Sequence, residues 1–179
     1  MQKDFEYLSG LIGDFFDQPR IGRSFNIIEE NEITGWEVWF QIEFAHFLSQ
    51  HDSSPEWWRE HTLKYDRRME KIRNSCRPDF IIRKKGWKTD SYVALEIKQH
   101  PNAKACVNNM FKDIEKIFKI KDSELDTRSF WVLGVHKRIP KGDLRKHISE
   151  CFEEGNLEFS EKLFLTKYIP KTNLSYSLF

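Results

Sequence analysis

Cysteine is scarce in this chain, and its three copies lie far apart. Cys76, Cys106 and Cys151 form no CxxC pair, and their number is odd. A disulfide framework needs paired cysteines in an oxidising compartment, and a closed structural zinc site needs clustered ligands. The sequence therefore predicts reduced thiols and a cytoplasmic location.

Long apolar runs are absent, and glycine and proline are few. No stretch approaches the roughly 20 apolar residues of a membrane-spanning helix, and the first residues lack the basic and then apolar order of a signal peptide. Only eight glycines and six prolines occur in 179 residues, without a low-complexity linker. We therefore expect no membrane partner and one domain over residues 1–179, with an N-terminal extension (1–33), a core (34–135) and a C-terminal helix and tail (136–179).

Net charge is also small, but the charge is unevenly distributed. The formal net charge is +1, whereas residues 1–35 carry −4 and residues 57–104 carry +7. A basic segment suits a polyanionic partner, although a charge run taken alone is more often a solvated surface. The composition therefore permits nucleic-acid binding without requiring it.

The apolar pattern predicts alternating helices and strands. We expect helices at 5–16, 34–49, 102–121 and 142–152, and strands at 56–65, 79–83, 91–98 and 130–135. The first helix ends near Pro19 and leads into a connection, and the short polar link between the second and third strands predicts a hairpin. This order indicates an α/β fold with a mixed sheet covered on both faces.

Charged residues share one face of the predicted strand at 91–98. Because side chains alternate along a strand, Glu96 and Lys98 point the same way, while apolar residues fill the opposite face. The hairpin brings Asp79 beside Glu96, and two neighbouring carboxylates repel each other unless a cation such as Mg²⁺ lies between them. Lys98 then stabilises developing charge, or positions and deprotonates water. A Glu/Lys pair on a half-exposed sheet is the alternative.

Pro78-Asp79, sixteen further residues and Glu96-Ile97-Lys98 resemble the PD-(D/E)XK signature of restriction-endonuclease-like nucleases. The predicted α-β-β-β-α-β order over residues 36–135 is similar to the core of that family. The resemblance implies a restriction-endonuclease-like mixed sheet flanked by helices, and Mg²⁺ as cofactor, with Mn²⁺ as a substitute. It implies that Asp79, Glu96 and the Ile97 carbonyl bind the metal and that Lys98 serves the water or the scissile phosphate.

The resemblance also implies a carboxylate from the preceding helix, for which two candidates exist. Glu37 ends a Gly-x-Glu segment similar to the start of this helix in the family, with Gln41 one turn below it. Its alternative role is a capping box with Thr34. Glu43 lies in a predicted aromatic stripe, where a buried ion pair with an arginine is the alternative. We expect Glu37 to reach the site.

Polar residues after the motif are further candidates. Gln99 and His100 follow Lys98, and His100 either contacts phosphate and assists proton transfer or is only a polar strand terminus. Asp113 and Lys116 resemble a DxxK pattern of some family members, and a surface pair three residues apart explains them equally well.

A set of basic residues surrounds the motif in the sequence. The predicted contacts to a sugar-phosphate backbone are Arg77, Arg83, Lys84, Lys85 and Lys88. We therefore expect a Mg²⁺-dependent nuclease, an endonuclease acting on DNA in preference to RNA, and a homodimer as the arrangement that places one site on each strand of a duplex. The alternative is a catalytically silent form of the fold that binds nucleic acid or a partner protein.

Overall fold

A computed structural model describes residues 1–64, 75–88, 91–117 and 126–179. Its helices are α1 (Gln2–Phe16), α2 (Pro19–Glu30), α3 (Glu37–Gln50), α4 (Ala103–Ile117) and α5 (Lys141–Glu154). Its strands are β1 (Glu56–Arg59), β2 (Leu63–Lys64), β3 (Ser75–Cys76), β4 (Phe80–Arg83), β5 (Ser91–Gln99), β6 (Asp126–Lys137), β7 (Leu165–Tyr168) and β8 (Leu174–Leu178). In this part of the chain no helix has the length and apolar character that crossing a bilayer requires.

Six of the strands form one mixed sheet in the order β1-β4-β5-β6-β8-β7. Strands β5 and β6 are parallel, and every other neighbouring pair is antiparallel. Parallel neighbours need a long crossover, and α4 lies in the connection between β5 and β6. Strands β2 and β3 pair separately. The expected mixed α/β architecture is confirmed, including the β4–β5 hairpin.

Helices α1, α2 and α3 cover one face of the sheet with an aromatic core. The ring of Phe15 lies within 5.7 Å, centroid to centroid, of four other phenylalanine rings: Phe16, Phe40, Phe44 and Phe47. These side chains join Val93, Leu95 and Ile97 of β5 in one buried cluster. Close aromatic pairs contribute about 0.5–1.5 kcal/mol each beyond their area burial. Helix α3 is thereby held against the strand that carries the motif.

Helices α4 and α5 cover the opposite face. Cys106, Val107 and Met110 of α4 pack with Val132 of β6 in a second cluster. The approach is close at Gly134, because an added Cβ there would lie 2.3 Å from Met110 Sδ. Gly134 is the β6 partner of Lys98. Because Gly134 has no side chain, α4 packs close to the sheet beside Lys98.

The structure adds elements to the sequence-based prediction at both ends of the chain. Helix α2 replaces the expected connection, because proline at the first helical position begins a helix as readily as it ends one. The C-terminal segment expected as a helix and tail also contains β7 and β8, and β8 is buried at every position because it lies between β6 and β7. The α1 segment, expected in an N-terminal extension, contributes Phe5 and Leu8 to the main core.

The start of α3 also differs from the prediction. The helix begins at Glu37 with Trp36 as N-cap and without a side-chain capping bond, so the Thr34–Glu37 capping box does not form. Gly35 has φ +69°, and this left-handed turn separates Thr34 from the helix. Residues 65 and 118–121, the ends of a predicted strand and helix, lie outside the described residues.

Candidate functional site

The register of the β4–β5 hairpin brings the motif residues together. Phe80 pairs with Leu95, so Asp79, one residue earlier, lies beside Glu96. The Ile97 backbone N–H donates a hydrogen bond of 2.7 Å to Asp79 Oδ2. Asp79 is therefore attached directly to the strand that carries Glu96 and Lys98.

Helix α3 supplies the second support for Asp79. Gln41 is buried, and its side-chain Nε2 donates a hydrogen bond of 2.6 Å to Asp79 Oδ1. Glu37 lies one helical turn before Gln41 and is half-buried. Each Asp79 oxygen thus accepts one hydrogen bond, which fixes the orientation of the carboxylate.

Lys98 is held between two carboxylates. Its Nζ lies 2.8 Å from Glu96 Oε1 and 2.9 Å from Asp113 Oδ2. Asp113 belongs to α4 and is only 7% exposed, so the interpretation as a surface pair is wrong for this residue. The side chain of Lys116 lies outside the described residues.

Asp113 is the site residue that the sequence reasoning undervalued. It follows Met110 by three residues and Cys106 by seven, which places it on the helix face that packs against the sheet. An acid at that spacing within an apolar stripe needs a buried partner. The same periodicity that predicted α4 contained this signal.

Burial and mutual repulsion raise the pKa of the acids at this site. Burial, and then the charge of Glu96, raise the pKa of Asp79 to about 7. Burial also raises the pKa of Glu96, against the opposing effect of Lys98. The pKa of Glu37 is raised by burial, an effect that Lys98 opposes and Asp113 strengthens. The charges of Lys98 and Asp113 therefore act on Glu37 as well, although Glu37 belongs to α3 and Asp113 to α4 on the opposite face of the sheet.

Lys98 is a permanent cation in this environment. Burial alone lowers the pKa of its ammonium, but the ion pairs and hydrogen bonds with Glu96 and Asp113 outweigh burial and raise that pKa. A lysine held in this way stabilises or positions negative charge. It has no tendency to act as a base at neutral pH.

The chemistry of the donor set suits a hard divalent cation. Glu37, Asp79 and Glu96 offer carboxylate oxygens, the ligands that Mg²⁺ prefers. Asp79 accepts two hydrogen bonds, and a carboxylate has about four lone-pair sites, so acceptor capacity remains. A cation among the three acids would relieve their repulsion. In residues 1–64, 75–88, 91–117 and 126–179, however, no three Asp, Glu, His or Cys side chains are grouped closely enough to form a ready-made metal site.

Glu43, the second helix candidate, lies elsewhere. It forms an ion pair with Arg20 of α2, so the alternative interpretation is right about the arginine partner, but the pair is partly exposed and not buried. Gln99 ends β5, and His100 follows it, with Nδ1 accepting a hydrogen bond of 3.0 Å from the Asn102 backbone N–H. The two accessory candidates therefore lie at the strand end. Within the described part of the chain, the side-chain hydrogen bonds of Asp79 and Glu96 go to other residues.

The basic candidates divide into two groups. Arg83 is 11% exposed at its side chain and is paired with Glu56, and Arg77 is exposed and paired with Glu60. Lys84, Lys85 and Lys88 are exposed in the turn between β4 and β5. That turn is at the opposite end of the hairpin from Asp79, and Lys84 is about 17 Å from Asp79 because five residue steps along the strand separate them. The basic run before the motif could also grip the sugar-phosphate backbone, but its residues Arg67, Arg68, Lys71 and Arg73 lie outside the described residues.

The chain was compared with family models, with curated proteins and with solved structures. None of the three comparisons finds a match. The geometry of this site is therefore the basis on which a function can be proposed.

Proposed function

We propose that this chain is a Mg²⁺-dependent nuclease of restriction-endonuclease-like fold that hydrolyses phosphodiester bonds, acting on DNA as an endonuclease. The observation that supports it most is the grouping of the half-buried Asp79, Glu96 and Lys98 at one end of the β4–β5 hairpin, with Glu37 close enough for its charge to raise the pKa of Asp79. Buried acids with raised pKa values cost folding stability, and such groups concentrate at functional sites.

Each residue has a distinct part in the proposed reaction. Asp79, Glu96, Glu37 and the Ile97 carbonyl would hold Mg²⁺, which supplies a Lewis acid for the phosphate and a more acidic bound water. Gln41 keeps Asp79 oriented through its hydrogen bond. Lys98 places a fixed positive charge where the phosphate gains negative charge. Asp113 holds the Lys98 ammonium in position.

The proposal is tested by incubating the purified protein with supercoiled, linear and single-stranded DNA and with RNA, in Mg²⁺, Mn²⁺ or EDTA. We expect the protein to cleave DNA in Mg²⁺ or Mn²⁺ and not in EDTA. Lys98→Ala is expected to reduce the cleavage rate by about 10²–10⁴-fold, because it removes a charge aimed at the reacting phosphate. Gel analysis of the products also distinguishes internal cleavage from digestion at ends.

Lys162→Ala is the matched control, because Lys162 is exposed and its substitution also removes one positive charge. It should cleave like wild type. Equal activity of Lys98→Ala and Lys162→Ala would contradict the assignment of Lys98. If the folded wild-type protein cleaves none of these substrates, the proposed nuclease function is wrong.

A catalytically silent fold is the second candidate, and one observation favours it. Both oxygens of Asp79 already accept hydrogen bonds from the protein, as in a purely structural polar cluster. In that case wild type and Lys98→Ala would bind nucleic acid or a partner protein equally, and neither would cleave.

A further inference from the structure

A cavity of about 350 Å³ lies beside the proposed site, outside the group of charged residues. It is bounded by the end of α2, the segment before α3, the ends of β5 and β6 and the start of β8. Hydrogen bonds fix its walls: the Ile33 N–H donates to the Ile28 carbonyl at 2.9 Å, and the Asn173 N–H donates to Glu29 Oε2 at 3.2 Å. Its volume lies in the range of about 300–1,000 Å³ that is typical of preformed small-ligand sites.

The cavity is contiguous with the site along two segments of chain. Gln99 and His100 line it and directly follow Lys98, and Trp36 lines it and directly precedes Glu37. Two strand residues span about 7 Å. Because side chains alternate along β5, Gln99 lies on the opposite face of the strand from Lys98, so the cavity and the site adjoin at the strand end, at His100. A nucleic-acid strand that passes this end can place a base in the cavity and the phosphate of a neighbouring nucleotide at Lys98.

The lining suits a nucleobase and disfavours a phosphate. Trp36, Ile28, Ile33 and Leu174 present apolar surface, against which the face of an aromatic heterocycle can pack. Gln99 and His100 add polar groups that can meet a base edge. Glu29 and Glu32 place two negative charges at the cavity against the one positive charge of Lys137, so the lining as a whole disfavours a phosphate group.

We propose that this cavity receives one unpaired nucleobase of the substrate strand, next to the phosphate that is cut. This inference rests on the proposed nuclease function and makes it more specific. The substrate class is nucleic acid with an unpaired nucleotide at the cleavage position, such as a single strand or a duplex with an extruded base. A fully paired duplex leaves the cavity empty.

The test uses the full chain carrying Lys98→Ala, in Mg²⁺, so that the strand stays intact. The probes are a DNA single strand with 2-aminopurine at one position, the same strand in a fully paired duplex, and free 2-aminopurine deoxynucleoside monophosphate. Ile33→Glu places a charge in the cavity at a residue that is 45% exposed, so folding is preserved. Ile27→Glu is the matched control, because Ile27 is 55% exposed and does not line the cavity.

We expect Ile33→Glu to weaken binding of the single strand by about 10-fold and to abolish the change in 2-aminopurine fluorescence, since the base no longer stacks in the cavity. Ile27→Glu should leave both unchanged, and the paired duplex should bind the two variants equally. Equal effects of the two substitutions on the single strand would overturn the assignment of the cavity. If Ile33→Glu weakens binding of the free nucleotide but not binding of the single strand, the cavity is an effector site, and the proposal is also overturned.

The cleavage assay separates this inference from the proposed function. If wild type cuts DNA while Ile33→Glu behaves like Ile27→Glu, only the cavity assignment fails. If the protein neither cuts nor binds any nucleic acid, the nuclease proposal fails and the cavity assignment fails with it.

Discussion

The two ends of the β4–β5 hairpin both carry charge, but they hold it in different ways. At one end, Asp79, Glu96 and Lys98 are half-buried, and the charge of Glu96 raises the pKa of Asp79. At the other end, Lys84 and Lys85 are exposed, and Arg83 is neutralised by Glu56. The same hairpin thus contains half-buried charges that interact strongly at one end and exposed charges that water and salt screen at the other.

The difference in exposure between the two ends indicates which charged residues do more than keep the protein soluble. An exposed ion pair contributes about 0–1 kcal/mol and is screened by salt, so its presence carries little information. Buried acids that repel one another cost stability unless a ligand compensates. The enclosed end is therefore the better candidate for function, and substitutions there should have larger effects than substitutions in the turn.

Asp79→Asn should give the largest effect, and in two directions. It removes a ligand of the proposed metal, so cleavage should fall by about 10²-fold or more. It also removes one of the repelling charges. The new amide accepts from the Ile97 N–H and donates to Gln41 Oε1 once the Gln41 amide rotates, so the free energy of unfolding without metal, measured by urea denaturation, should rise by about 1–3 kcal/mol. Mg²⁺ should stabilise wild type and not the variant.

Asp52→Asn is the control for Asp79→Asn, because Asp52 is exposed in a turn. It should change neither activity nor stability. A loss of stability in Asp79→Asn would mean that the carboxylate is structural, and the contrast between the two ends of the hairpin would disappear.

Asp113→Asn tests whether Lys98 needs its second carboxylate. The variant keeps the shape of the side chain and removes the charge that holds the Lys98 ammonium, so we expect cleavage to fall by about 10–100-fold with binding retained. Asp143→Asn on α5, an exposed acid, should retain full activity. Wild-type kcat in Asp113→Asn would show that Glu96 alone positions Lys98.

Gly134→Ala tests the close approach of α4. The new Cβ would collide with Met110 Sδ, and overpacking of this kind lowers the free energy of unfolding by about 1–3 kcal/mol. Because α4 carries Asp113, cleavage should fall as well. Gly142→Ala, which has open space around its Cβ, should keep both stability and activity. If Gly134→Ala changes neither stability nor cleavage, α4 accommodates the added methyl group without moving Asp113.

Replacing the lysines of the turn together should have the smallest effect. Lys84→Ala, Lys85→Ala and Lys88→Ala should leave stability within about 0.5 kcal/mol, because these side chains are exposed. If they bind phosphates, the slope of log affinity against log salt concentration should decrease by about 0.9 for each phosphate that a lysine no longer neutralises. Substitution of Lys146, Lys162 and Lys167 by alanine is the control, and an equal slope in the two triple variants would remove the turn from the binding surface.

Local rules were sufficient for the strands around the motif. Alternation along β5 put Glu96 and Lys98 on one face, and the short link to β4 put Asp79 beside Glu96. Both features depend on residues close in sequence. Helix α2 was missed although Ile21 and Phe25 have helical spacing, because Pro19 was interpreted as an end instead of a start.

The sequence by itself determined the mixed α/β architecture and the neighbourhood of Asp79, Glu96 and Lys98, because periodicity and hairpin pairing act over short distances. Only the tertiary structure decided which other residues join them. Asp113 meets Lys98 because Gly134 admits α4, and Gln41 meets Asp79 because the aromatic core presses α3 onto β5. These pairs join residues 15 and 38 positions apart through the packing of helices on opposite faces of the sheet, and no local pattern encodes that packing.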